Sequence, residues 1–427
     1  MRYNELLKLR GFYENELKSN ILSFWMPRCL DTEYGGYLNC FDNEGRTLMS
    51  HDKYTWSQGR FVWMFARLAT IDAPLFSKAE RERFLTYAKS GRDFLMAHCL
   101  MDTPDVRCTF LMERDGTPKF VPGCDTLDMS IYADCFVVIG MNAYADAAQD
   151  KEAYAFAKKV YRSIVERISS GRFNTLPYPL SPQFRAHGIP MILTNVTAEL
   201  LECAKKFDPD FVPALTALLE EYSSDVLEHF ADENGTIHEV ISGENEFIGG
   251  LLGQHANPGH TIEDMWFQLD AAKLLNKPER MSRILQIALR AFVIGWDEEY
   301  KGLLHYVSTD GENVNTLERL TDEVTENQVA GGWGDKLWWI HSEALYTSLR
   351  CYLESGDEAF YHWHEKVFKF TFKTFPNRDP EIREWKQICM RDGSPQEKVV
   401  ALPVKDPFHI SRNLILIIEL LDRQLRK

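Results

Sequence analysis

Four of the twelve histidines stand where apolar-periodic runs begin: His187, His260, His341 and His409. The stretch Asn257-Pro258-Gly259-His260-Thr261-Ile262-Glu263 is the most explicit of these. Pro258-Gly259 signals a turn, and Ile262, Met265, Trp266 and Leu269 follow at helical spacing, so His260 is expected in the first turn of a helix. The unpaired N–H groups and partial positive charge of a helix start lower an imidazole pKa. Glu263, three residues on, shares its face, and a carboxylate there raises the pKa and orients the ring. A neutral, oriented imidazole is the group that removes a proton near pH 7.

The other run starts carry similar residue types. Arg60 closes Trp56-Ser57-Gln58-Gly59-Arg60, and Tyr132 lies between Asp128 and Asp134. Lys336-Leu337-Trp338-Trp339-Ile340-His341-Ser342-Glu343 and Phe408-His409-Ile410-Ser411-Arg412 complete the set. Taken singly, each reads equally as a helix cap or a satisfied core pair. Converging at one mouth, they describe a polar pocket for a small hydroxylated ligand. Two imidazoles on opposite sides of a carbon next to a carbonyl can invert it, with Arg60 holding the enolate oxygen. Aldose–ketose isomerisation uses the same enediolate with one base. Glycoside hydrolysis needs two carboxylates instead, which Asp128, Asp134, Glu263 and Glu343 leave open. A non-catalytic sugar- or protein-binding module is the reading from another class.

Positioning these groups falls to helices. Periodicity predicts twelve, near 4–25, 56–70, 78–99, 127–148, 151–169, 187–206, 209–230, 260–276, 278–295, 336–354, 358–374 and 409–425. The second member of each pair starts near 56, 127, 187, 260, 336 and 409, a repeat of roughly 70 residues. Six helical hairpins at that period predict an all-α (α/α)6 barrel over residues 1–427 as one domain, with the more apolar helices inside. Short β-hairpins are expected in the long loops: 35–41 with 46–48, 109–112 around Arg114-Asp115-Gly116, and 236–240 after Asp232-Glu233-Asn234-Gly235.

A net charge of −15 argues against nucleic acid or an anionic membrane as partner. Met1 to Asn20 alternates charge with leucine, and no apolar run reaches membrane-spanning length, so a cytoplasmic protein is expected. Nine scattered cysteines without a C-x-x-C pair predict free thiols and no zinc site.

Together the motifs resemble the N-acylglucosamine 2-epimerase family. The matching stretches are Lys53-Tyr54-Thr55-Trp56-Ser57-Gln58-Gly59-Arg60-Phe61-Val62-Trp63, Asn257 to Glu263, Lys336 to Leu345, and Phe408 to Arg412, in the family's order. The resemblance implies an (α/α)6 barrel that interconverts N-acetyl-D-glucosamine and N-acetyl-D-mannosamine. In it His260 and His409 are the bases, Arg60 binds the sugar's carbonyl side and Glu263 supports His260. Tyr54, His187, Trp339, His341, Glu343 and Arg412 fall in its substrate-binding motifs. It further implies a homodimer and no required cofactor. Some members respond to ATP, but this chain carries no glycine-rich phosphate loop. Sister branches act on cellobiose or mannose. Two departures stand out: Ile340 where proline is usual, and Lys405-Asp406-Pro407 where a glycine-rich segment is usual, beside His409.

Overall fold

A computed structural model describes residues 3–427. Twelve main helices follow in order: α1 (Tyr3–Asn15), α2 (Thr55–Thr70), α3 (Lys78–His98), α4 (Ile131–Ala148), α5 (Lys151–Ser169), α6 (Gly188–Phe207), α7 (Val212–Asp225), α8 (Pro258–Leu274), α9 (Met281–Gly295), α10 (Trp338–Ser355), α11 (Glu358–Thr374) and α12 (Phe408–Leu425). The expected ranges for α1 and α7 are completed by π-helical turns, Glu16–Leu22 and Val226–Phe230. Two short helices, Gly250–Gln254 and Val324–Gly332, had no signal in the sequence pattern.

The even-numbered helices form the inner ring. Each packs on the next, and α12 returns to α2, closing an (α/α)6 barrel. Burial follows the sequence: α4 is buried continuously from Ile131 to Ala145, save Tyr132, as an inner helix must be. Its outer neighbour α5 buries one face, Ala153, Tyr154, Ala157, Val160, Tyr161, Ser163, Ile164 and Arg167. Glycine brings α2 and α4 together, because a Cβ on Gly59 would lie 2.2 Å from the Phe136 carbonyl oxygen.

Pairing differs from the expected order. Each inner helix packs most closely on the outer helix that follows it, across tight joints such as Gln149-Asp150. No helix follows α12, so it takes α1, with Arg10 Nε 2.8 Å from Asp422 Oδ1. The long outer-to-inner connections therefore collect at the other end. Short antiparallel pairs tie them together: Lys53–Tyr54 with Leu111–Met112, His255–Ala256 with Val307–Ser308, and Lys336–Leu337 with Ile388–Cys389. These strands end directly before α2, α8 and α10 and fix where those helices begin. Of the expected hairpins, Cys40–Phe41 with Leu48–Ser50 and Leu111–Met112 with Pro118–Lys119 form. The third reduces to a bridge between Ala231 and Ile237, because Val240–Ser242 pairs with Phe184–Ala186 instead. Among the described residues, no helix is long and apolar enough to cross a membrane.

Candidate active site

A cavity of about 260 Å³ opens among the starts of the inner helices. That is near the small end of ligand pockets, about 300 Å³. His260 enters it from the first turn of α8, where Asn257 caps the helix by accepting the His260 N–H at 3.1 Å and Pro258 takes the first position. Trp339, at the start of α10, touches both principal histidines, its ring 5.4 Å from that of His260 and 5.7 Å from that of His409. Gly259 makes room for it, since a Cβ there would lie 2.7 Å from the indole.

Each of these histidines has a carboxylate on Nδ1. For His260 it is Glu239, Oε2 at 2.9 Å, and not Glu263 as the helical spacing suggested. Glu263 turns to the other side, where it pairs with Arg412. The reason is tertiary: residues i and i+3 on one helix share a face, but Arg412 on α12 supplies a permanent positive charge that outcompetes the imidazole. Burial pushes the Glu239 carboxyl up, yet the charge of His260 and hydrogen bonds from His187 and His260 outweigh it and hold it well below the usual range. An ionised Glu239 accepts the Nδ1–H of His260 and leaves Nε2 with its lone pair.

His409 repeats the arrangement. Its Nδ1 lies 2.7 Å from Glu343 Oε1. Burial raises the Glu343 carboxyl, but the Arg412 and His409 charges hold it at about 2. Arg412 bridges Glu343 and Glu263, and Trp266 Nε1 donates to the remaining Glu343 oxygen at 2.9 Å. Arg60 Nη2 lies 3.3 Å from His409 Nε2. A guanidinium only donates, so that contact makes Nε2 an acceptor. Arg60 is held by Asp406 and enclosed by Trp56, Phe136 and Phe408.

Several expected pocket residues lie elsewhere. His187 is wholly buried behind Glu239, with Nδ1 3.3 Å from Glu239 Oε1 and Nε2 2.9 Å from Asp264 Oδ2. Burial lowers its pKa, but those two carboxylates raise it further, to about 10. It is an imidazolium that braces Glu239. His341 turns outward: Nε2 accepts the Leu303 N–H at 3.0 Å, Nδ1 donates to the Leu337 carbonyl at 2.7 Å, and burial lowers its pKa to about 3. It is a strut between α10 and the loop after α9. Tyr54 packs into a side cluster with Phe110, Leu111 and Met129 rather than on the cavity. Glu343 acts from behind His409. Of the carboxylates that kept hydrolysis open, Asp128 pairs with Arg107 and Asp134 with Arg167, both off the cavity. Glu263 and Glu343 are both tied up in ion pairs with Arg412. Sequence reasoning missed Glu239, Asp264 and the cavity histidines His255 and His305. Glu239 lies in a loop without periodicity, and nothing local links it to His260.

The family model described as N-acylglucosamine 2-epimerase (GlcNAc 2-epimerase) matches residues 36–411. The N-acylglucosamine 2-epimerase of Mus musculus is 30% identical over 415 residues, covering 97% of this chain and 92% of its own. Among solved structures, the cellobiose 2-epimerase of Spirochaeta thermophila superposes with a TM-score of 0.76 at 18% identity, covering 99% of this chain and 98% of that one. A D-mannose isomerase does so with a TM-score of 0.74 at 13% identity, covering 96% and 98%.

Proposed function

The chain belongs to the N-acylglucosamine 2-epimerase family, and from that premise we propose that its cavity carries out the two-base epimerisation of an N-acyl sugar at C2. The protein is a carbohydrate epimerase interconverting N-acetyl-D-glucosamine and N-acetyl-D-mannosamine. The observation that carries the two-base reading is the paired geometry: His260 and His409 both touch Trp339, and each has an ionised carboxylate on Nδ1. In the open-chain sugar one Nε2 removes the C2 proton. The C–H electron pair moves into the C1–C2 bond and charge gathers on the carbonyl oxygen. Arg60, already donating beside His409, takes that oxygen as its acceptor and stabilises the enolate. The other histidine, which enters the step carrying a proton on Nε2 taken from solvent, delivers it to the opposite face, so configuration inverts, and the proton gained by the first base returns to solvent. One proton leaves C2, a second is supplied to it and no hydride moves, so the step calls for no redox cofactor. The Glu239 and Glu343 carboxylates stabilise whichever imidazole is protonated.

The test is a panel of free sugars in D2O followed by NMR: N-acetylglucosamine, N-acetylmannosamine, glucose, mannose and cellobiose. Deuterium at C2 with inversion on the N-acetyl sugars is expected. A ketose product would make the enzyme an isomerase. Exchange confined to unacylated sugars would move it to a sister specificity, and no exchange with any sugar would leave a binding protein. His260→Asn and His409→Asn should each abolish inversion, with residual exchange favouring opposite epimers. Retention of more than about a tenth of wild-type inversion in either, a loss of under about 1.4 kcal/mol, would refute the two-base assignment.

A further inference from the structure

The segment between Lys398 and Lys405 crosses the mouth of the cavity as a strap fixed only at its ends. On one side Lys398 pairs with Asp335, and Gln396 Nε2 donates to Asp335 Oδ1 at 2.9 Å. On the other, Lys405 is buried, donating to the Asn43 carbonyl at 2.7 Å and paired with Glu384 Oε2 at 2.7 Å, while its backbone N–H reaches the Asn39 carbonyl at 2.9 Å. Between these anchors, among the described residues, no backbone hydrogen bond involves 399–404. Ala401 takes a left-handed φ of 73°, uncommon for a residue with a Cβ. Val400, Ala401, Leu402 and Val404 nonetheless all line the cavity. A half-buried strap of apolar side chains is thus held against the site by side-chain packing alone, Val400 on the main core and Leu402 and Val404 on the cluster around Phe110 and Met129.

We propose that this strap is the acyl-reading wall of the site, with Leu402 and Val404 packing on the alkyl part of the C2 substituent. The inference rests on the epimerase reading and locates the part of the cavity that recognises the acyl group. The strap runs through Val404 to Asp406, which holds Arg60. Arg60 marks the carbonyl carbon, and the acylamido group sits on the next carbon, the one both imidazoles must reach. In this proposal the C2 substituent is the group that lies beside Arg60 on the strap side. Leu402 and Val404 pack in the same cluster as Trp56, one helical turn before Arg60. Their surface matches a short alkyl chain and offers nothing to a bare hydroxyl. One methylene in an apolar pocket changes discrimination by roughly 10–200-fold.

The experiment measures kcat/KM for N-acetyl-, N-propanoyl- and N-butanoylmannosamine with the full-length wild type, Leu402→Ala and Val404→Thr. Leu402→Ala opens the wall, so the ratio of N-butanoyl to N-acetyl turnover should rise by roughly tenfold or more. Val404→Thr keeps the size of the side chain but puts a hydroxyl on the wall, and its rates, like those of Leu402→Ala, are expressed per folded molecule as measured by circular dichroism. It should lower turnover of all three acyl sugars while leaving acyl-length preference near wild type. Ratios within twofold of wild type in Leu402→Ala, with all rates measurable, would overturn the assignment. So would an unchanged N-acyl turnover in Val404→Thr. A wild type that epimerises only unacylated sugars would instead defeat the underlying reading, an outcome read before any variant is made.

Discussion

Replacing Glu239 by glutamine separates a carboxylate that controls a base from one that merely fills space. Wild-type Glu239 accepts from His260 Nδ1 at 2.9 Å and from the His187 imidazolium at 3.3 Å. The variant keeps one carbonyl oxygen, and the imidazolium is the stronger claimant on it. The amide NH2 is then left facing His260, which must accept with Nδ1 and carry its proton on Nε2, the wrong tautomer for a base. Losing a general base costs roughly 10²–10⁴ in rate, about 2.7–5.4 kcal/mol of barrier. Stability will also fall, since a buried charge loses a partner, so rates are normalised to folded protein. The decisive assay is C2 deuterium exchange from each epimer in D2O. Glu239→Gln should match His260→Asn, losing exchange on one epimer and keeping it on the other through His409. Glu343→Gln should show the opposite bias, because Glu343 serves His409. Inversion within tenfold of wild type, or equal loss of exchange on both epimers, would refute the reasoning.

Two further outcomes follow from the buried histidines. His341→Asn should lower stability by about 1–3 kcal/mol through its two lost backbone partners, measured by denaturant unfolding, with kcat per folded molecule near wild type. A fall in kcat without a fall in stability would return His341 to the pocket. His187 is raised from 6.5 to about 10, so its contribution is present in full below pH 6.5 and is lost as pH rises to about 10. The stability difference between wild type and His187→Gln should therefore shrink across that window, by at most about 1.4 kcal/mol per pH unit. A difference that is flat there, or that grows with pH, would contradict a charged His187.

Helix number, inner-helix starts and the meeting of Arg60, His260, Trp339 and His409 could all be read from the sequence. Each rests on a local signal: apolar period, the turn signal Pro258-Gly259, and a repeat that places every inner start at one end of the ring. The alternation of inner and outer helices was legible as well, because burial all round and burial on one stripe leave different patterns, as α4 and α5 do. The partners of those residues were decided by the tertiary structure alone. Glu263 has the spacing to serve His260, yet the charge of Arg412, 149 residues away, claims it. Glu239 serves in its place from a loop that carries no period. His341 and His409 both open inner helices, but one turns to the Leu303 amide and the other to the cavity. A helix start fixes where a Cα stands; the rotamer and the tautomer are fixed by whichever charge or backbone group lies closest in space, and chain order does not record that.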